Sequence, residues 1–217
     1  MYFDFIEKVP CEGTKSKNPF AFRYYDADRV VMGKPMSEHL NFAMSWWHTL
    51  GADGVDMFGK GTADKTFGCE PATMEHARAK VDAGFEFIEK LVIPYFCFHD
   101  VDLVPEADDI NETNKRLDEI SDYILEKMQA TGIKCLWGTA NMFSNPRFMN
   151  GAGSTNSAEV YCFAAVQVRF GGRCFATCSH FLCKLHCLLR ARLSVRQSLP
   201  LWEQGFMKVF RQPVRQW

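Results

Sequence analysis

The stretch Val92-Ile-Pro-Tyr-Phe-Cys-Phe98 is an unbroken apolar run, closed by His99-Asp100. A run without polar alternation has no wet face, so it predicts a strand buried on both sides, as in a parallel sheet. Helical periodicity flanks it. Met74, Ala77, Val81, Phe85 and Ile88 recur at spacings of three and four and predict a helix over 73–91. Thr73, just after Pro71, is its expected N-cap. Glu86 and Lys90, four apart, are expected on its other side, adding a little ion-pair support. Leu117, Ile120, Ile124 and Met128 predict a second helix over about 111–130, stopped by Gly132. Residues 133–137 (Ile-Lys-Cys-Leu-Trp) predict another strand, and the apolar run 42–50 predicts an earlier one. The order strand, helix, strand, helix, strand is a repeated βα unit, the plan of a parallel α/β sheet.

Charge divides the chain. Residues 1–164 carry 16 Lys+Arg against 25 Asp+Glu, whereas 165–217 carry 9 against 1. Two such balances predict different origins for the two segments. The expected organisation is an N-terminal extension over 1–40, a partial α/β barrel over 41–165, and an unrelated basic, Cys-rich tail over 166–217. The 217 residues reach only the low end of the range for a complete eight-stranded barrel, typically about 250. The opening Met1-Tyr-Phe-Asp-Phe-Ile-Glu-Lys lacks a basic segment followed by an apolar core, and no apolar run reaches membrane-spanning length. Nine scattered cysteines then read as reduced thiols, and a cytoplasmic setting with no membrane partner is expected. The net charge of −1 gives no reason to expect a nucleic-acid partner for the whole chain.

Chemistry in such folds gathers at the carboxyl ends of the strands. Three ends are visible: Trp46-Trp-His-Thr49, His99-Asp-Val-Asp102, and Trp137 through Phe143 with Thr139 and Asn141. His99 with Asp102 is the leading catalytic candidate, because a carboxylate on one ring nitrogen fixes the tautomer and raises the basicity of the other. A structural His–Asp hydrogen bond is the competing reading. Trp46, Trp47, Trp137 and Phe143 can stack on a sugar ring or fill the core. The acidic set Asp100, Asp102, Glu106, Asp108 and Asp109 suits a hard cation or, more commonly, a solvated helix entry. In the tail, Cys174, Cys178, Cys183 and Cys187 with His180 and His186 are spaced unlike a zinc ribbon, so a zinc or RNA module is a minor alternative there.

Trp46-Trp-His-Thr49, Asp56-Met-Phe-Gly59, Tyr95-Phe-Cys-Phe-His-Asp-Val-Asp102 and Leu136-Trp-Gly-Thr-Ala-Asn-Met-Phe143 together resemble the xylose isomerase family. The likeness runs in order from about residue 3 to about 165, and the Tyr25 region resembles the longer-chain class. It implies a (β/α)8 TIM barrel, here its first three βα units only, in a family that forms homo-tetramers. It implies interconversion of D-xylose with D-xylulose, and of D-glucose with D-fructose, by a hydride shift assisted by two divalent cations (Mg, Mn or Co). His99 matches the residue that assists ring opening, and Asp102 the residue that orients it. Trp47, Trp137, Thr139 and Phe143 match positions near the sugar, and Phe58 matches the Phe that reaches a neighbouring subunit's site.

The likeness stops near residue 166, where a shifted reading frame or retained intron is expected. In the family the metal ligands lie beyond that point. No metal ligand is therefore assigned here, and the cations are not expected to bind this chain. The alternative function is a catalytically inactive fragment, or a half-barrel that binds partners.

Overall fold

The computed structural model describes residues 1–52, 54, 59 and 61–178. The chain starts as a strap. Tyr2 and Phe3 donate their backbone N–H groups to Glu86, and Val9 donates to the Lys90 carbonyl at 2.8 Å. Cys11 and Phe22 form an isolated parallel bridge. A two-stranded antiparallel ribbon, β1 (Val30–Val31) and β2 (Lys34–Pro35), then leads to a single turn of helix, α1 (Met36–His39).

The centre is a parallel three-stranded sheet in the order β3 (Ala43–Ser45), β4 (Tyr95–His99), β5 (Lys134–Thr139). The connections carry α2 (Met74–Leu91) between β3 and β4, and α3 (Asp100–Leu103) and α4 (Ile110–Thr131) between β4 and β5. After β5 come a 3-10 turn at Pro146–Phe148 and α5 (Ala158–Cys178). The class is α/β with parallel pairing, as the strand–helix alternation predicts. No helix among the described residues is long and apolar enough to cross a membrane.

The helix ends follow the sequence closely. The Thr73 side chain accepts from His76 N at 3.1 Å and starts α2. Gly132, at φ +77, ends α4 and donates to the Met128 carbonyl at 2.8 Å. Val81, Phe85 and Ile88 from α2 and Leu117, Ile120 and Ile124 from α4 are buried in one core with Phe96 and Phe98. Each such side chain contributes roughly 1.5–3 kcal/mol by leaving water.

Three strand boundaries differ from expectation. The first strand is only Ala43–Ser45, and Trp47–Gly51 form a π-helical turn. Trp46 and Leu50 are four apart on that turn and both are buried against Gly84, where an added Cβ would meet Leu50 Cδ1 at 2.7 Å and Trp46 at 2.9 Å. Burying both rows of the run at once favours a helical turn over an extended strand. The second strand begins at Tyr95, because Val92 is drawn into the left-handed cap of α2. The third extends to Thr139 and carries an irregularity: Phe96 pairs with Cys135, but Cys97 pairs with Trp137. Leu136 is the extra residue, and such a bulge re-aims the side chains that follow.

Glu86 and Lys90 form their ion pair at 2.8 Å, but beneath the N-terminal strap rather than on an open face. Lys90 Nζ also donates to the Phe3 carbonyl at 2.6 Å. Helix α5 passes residue 166 without a break and continues to Cys178.

Candidate functional site

His99 ends β4 and caps the one-turn helix α3. Its backbone N–H donates to Asp102 Oδ2 at 2.7 Å, and its ring Nδ1 lies 3.1 Å from the same oxygen. A carboxylate oxygen only accepts, so Nδ1 is the donor in this contact, and the neutral ring then keeps its lone pair on Nε2. The two side chains are 13% and 11% exposed, which shields the pair from bulk water while leaving an opening.

Aromatic rings surround the imidazole. Trp47, from the turn after β3, lies 4.6 Å from His99 between ring centroids and 5.4 Å from Trp137. Trp137 meets His99 edge-on at 6.0 Å, and Phe143 does so at 5.5 Å. The bulge at Leu136 brings Trp137 here: Trp137 and Thr139 pair with Cys97 and His99 and so share their face of the sheet. Phe143 and Trp137 are 68% and 38% exposed, so they present open apolar surface beside a polar pair. Thr139, opposite His99 in register, is exposed. The structure thus brings His99, Asp102, Trp47, Trp137, Thr139 and Phe143 to one end of the sheet. Phe58 lies outside the described residues. Trp46 is core: it is fully buried and packs on Phe96 at 5.5 Å, so it is no platform for a ligand.

A buried polar node supports this end. Asp100 Oδ1 accepts from Asn141 N at 2.8 Å and from Val101 N at 2.9 Å, and Oδ2 accepts from Gln167 Nε2 at 3.0 Å. Burial pushes the Asp100 carboxyl up from the ordinary carboxylate range, against the pull of those three donors. Asn141 Oδ1 in turn accepts from Phe143 N and Ser144 N, which fixes the Phe143 loop. Gln167 also donates to the Asn141 carbonyl at 2.9 Å and ties α5 to both strand ends. Sequence reading missed Gln167, because nothing in its local pattern relates it to Asp100, 67 residues earlier. It missed Lys80 as well, whose Nζ donates to the Asp102 carbonyl at 3.2 Å.

The acidic set does not assemble a cation site. Asp100 and Asp102 are committed as above, Glu106 binds Asn145 and Arg147, and Asp109 caps α4. Among the described residues no three His, Cys, Asp or Glu side chains converge. The donor set therefore does not fit a pair of divalent cations, which take six or more oxygens each. Of the proposed tail cluster, Cys174 is buried and accepts from Ser121 Oγ at 2.6 Å, the Cys178 backbone lies in α5, and the remainder lies outside the described residues.

An oriented His–carboxylate pair, walled by aromatic rings, thus stands at the carboxyl ends of the parallel strands of an α/β sheet. The chain's relatives narrow this further. It is 53% identical over 171 residues to a xylose isomerase of Enterococcus faecalis, covering 79% of this chain and 39% of that protein. It is 52% identical over 170 residues to a xylose isomerase of Listeria welshimeri and 51% identical over 168 to one of Bacteroides fragilis, covering 39% and 38% of those proteins. The chain is thus a homologue of the N-terminal part of xylose isomerases and spans about two-fifths of the length of these relatives. No family model matches it.

Proposed function

We propose that residues 41–165 are the opening βα units of a (β/α)8 barrel and carry the ring-opening half of an aldose–ketose isomerase site. The substrate class is an aldopyranose, D-xylose first, as the relatives' name suggests. The reading includes a cytoplasmic homo-tetramer, with 1–40 as an extension, 166–217 as a tail of unrelated sequence whose first residues continue α5, and Phe58 contributing to a neighbouring subunit's site. The observation that carries it is the 3.1 Å contact from His99 Nδ1 to Asp102, set among Trp47, Trp137 and Phe143.

The sugar's apolar C–H face packs on the tryptophan rings. Thr139 offers a hydroxyl opposite His99. Nε2 of His99 takes the proton of the anomeric hydroxyl, the C1–O5 bond breaks, and the proton passes from Nε2 to O5. The product is the open-chain aldose, with atoms and charge unchanged in number. Asp102 compensates the transient imidazolium. Such a positioned base typically contributes about 10²–10⁴ in rate. Divalent cations would polarise the open-chain sugar for the subsequent hydride shift. The described residues supply no cage for them, so no step here passes through a cation.

Polarimetry of pure α-D-xylopyranose tests the reading. The chain is expected to accelerate interconversion of the anomers, and His99→Asn to abolish the acceleration. A rate equal to buffer, or full activity in His99→Asn, would overturn it. The second reading is a chain that binds partners without isomerising sugar; it is supported by Asp100 and Asp102, whose carboxylates are engaged by donors of this chain. Formation of D-xylulose with Mn²⁺ present would exclude it.

A further inference from the structure

Lys80 belongs to α2, with buried Ala79 and Val81 on either side in sequence, and is itself half-buried. Its ammonium does not reach for open solvent. Nζ donates to the Asp102 carbonyl at 3.2 Å, at the end of the one-turn helix α3, where carbonyls lack helical partners. A cation at a helix C-terminus also meets the favourable end of its dipole. Few residues are as costly to half-bury as lysine unless a partner justifies it.

Burial depresses the Lys80 ammonium below the ordinary lysine range, and the Asp102 charge opposes that effect. Asp102 in turn faces His99, with the Asp100 carboxyl from its own turn and the Cys97 thiol from β4 also within its field. Lys80 thus holds the backbone of the residue whose carboxylate touches His99.

We propose that Lys80 is a positioning residue of the His99–Asp102 pair, a half-buried cation that pins the α3 turn by the Asp102 carbonyl and counterbalances the Asp102 carboxylate behind the imidazole. The arrangement runs from ammonium to carboxylate to imidazole. Without the cation, Asp102 keeps its contact with His99 but loses the anchor that sets its angle, and the imidazole faces an uncompensated anion. The kinetic consequence rests on the ring-opening reading above; the coupling between Lys80 and Asp102 does not.

Two measurements separate these. First, NMR titration of the ¹³Cε–¹⁵Nζ group of Lys80, assigned with Lys80→Arg, compares the parent chain with Asp102→Asn. The amide keeps the backbone carbonyl and an acceptor for His99 N, and removes only the anion. The Lys80 ammonium is expected to titrate at lower pH in the variant, because the charge that favours its protonated form is gone. An unchanged titration would overturn the proposal, whatever the activity. Should Asp102→Asn fail to fold, Asp102→Thr removes the same charge and carries the same expectation. Second, the pH profile of α-D-xylopyranose ring opening is compared for Lys80→Met and Lys80→Arg. The Met variant is expected to lose roughly ten- to a hundredfold in rate with a displaced profile, and the Arg variant to recover most of both. A Met variant that matches an active parent at every pH would overturn the proposal. A parent inactive in ring opening whose Lys80 titration still moves in Asp102→Asn would sink the ring-opening reading and leave the positioning role standing.

Discussion

Gly138 sits at the tip of the Phe98 ring, so close that a Cβ at residue 138 would lie 2.7 Å from Phe98 Cζ. Phe98 cannot yield easily. It is 1% exposed and stacks on Phe96 with 6.1 Å between centroids. Gly138→Ala is therefore expected to destabilise the chain by about 1–3 kcal/mol through overpacking. A lowered urea midpoint checks it. Adding Phe98→Leu shortens the opposing side chain, and the double variant should be more stable than the two single losses added together predict. Strict additivity would mean that the clash is relieved elsewhere.

Asp100 gives the fold a pH dependence of definite sign. Burial holds its carboxyl above the usual range, despite hydrogen bonds from Asn141, Gln167 and Val101. A raised folded-state value means that the neutral acid is the form that the fold favours. Its stabilising contribution is complete below the unfolded carboxyl range and is lost as pH rises through the higher, folded value. Asp100→Asn does not titrate. The stability of the parent relative to Asp100→Asn should fall as pH rises from the acid side of the carboxylate range toward neutrality. Paired denaturation curves across that interval measure it, and a constant difference would contradict the assignment.

The helices were legible because two independent signals agreed in them. Met74 through Ile88 and Leu117 through Met128 have helical period, and Thr73 and Gly132 mark a start and a stop by their own chemistry. The strands were legible as a class but not at their ends. Apolarity alone does not separate a strand from a buried turn, so Trp46 and Leu50 read as extended although they bury on consecutive coils. The Leu136 bulge has no sequence mark, yet it decides that Trp137 faces His99. Of the candidate site, the His99–Asp102 contact was legible because the two are three apart and meet within one turn. Gln167 and Lys80 act across elements, and no local spacing encodes a contact made by helix packing. Glu86 and Lys90 were read as surface support because their spacing fits that role, whereas their actual load, the strap at Tyr2 and Phe3, lies more than eighty residues away.

That strap yields a third expectation. Glu86 accepts from Tyr2 N at 2.7 Å and Phe3 N at 3.1 Å, and pairs with Lys90 at 2.8 Å. Burial alone would raise its carboxyl, but the hydrogen bond from Lys90 and the two backbone donors outweigh burial and hold it below the usual value. A depressed folded value means that the contribution is present above the unfolded carboxyl range and lost as pH falls through the folded one. Glu86→Ala removes charge-assisted hydrogen bonds, each contributing at most about 1.5–3 kcal/mol net of solvent exchange. Residues 1–9 should then be cleaved faster in limited proteolysis at neutral pH. The parent should approach the same susceptibility only in acid. Equal cleavage of both at neutral pH would show that Val9 and the aromatic contacts hold the strap unaided.

Helices α2 and α4 end in the same left-handed conformation with different residues in it. Gly132 closes α4 at φ +77, whereas Val92 closes α2 at φ 58. A β-branched side chain in that region costs about 1–2 kcal/mol, and Gly costs nothing there sterically. Val92 is 45% exposed, so its side chain contributes little burial in return. Gly at residue 92 adds unfolded-chain entropy, which offsets about 0.5–1 kcal/mol. Val92→Gly is thus expected to stabilise the chain by up to about 1 kcal/mol, with a higher melting temperature. Gly132→Ala is its mirror image. No atom lies within 4 Å of the added Cβ, so the penalty is conformational only and should be about 1 kcal/mol. If Val92→Gly instead destabilises the chain, packing of the Val92 side chain outweighs the strain of its cap.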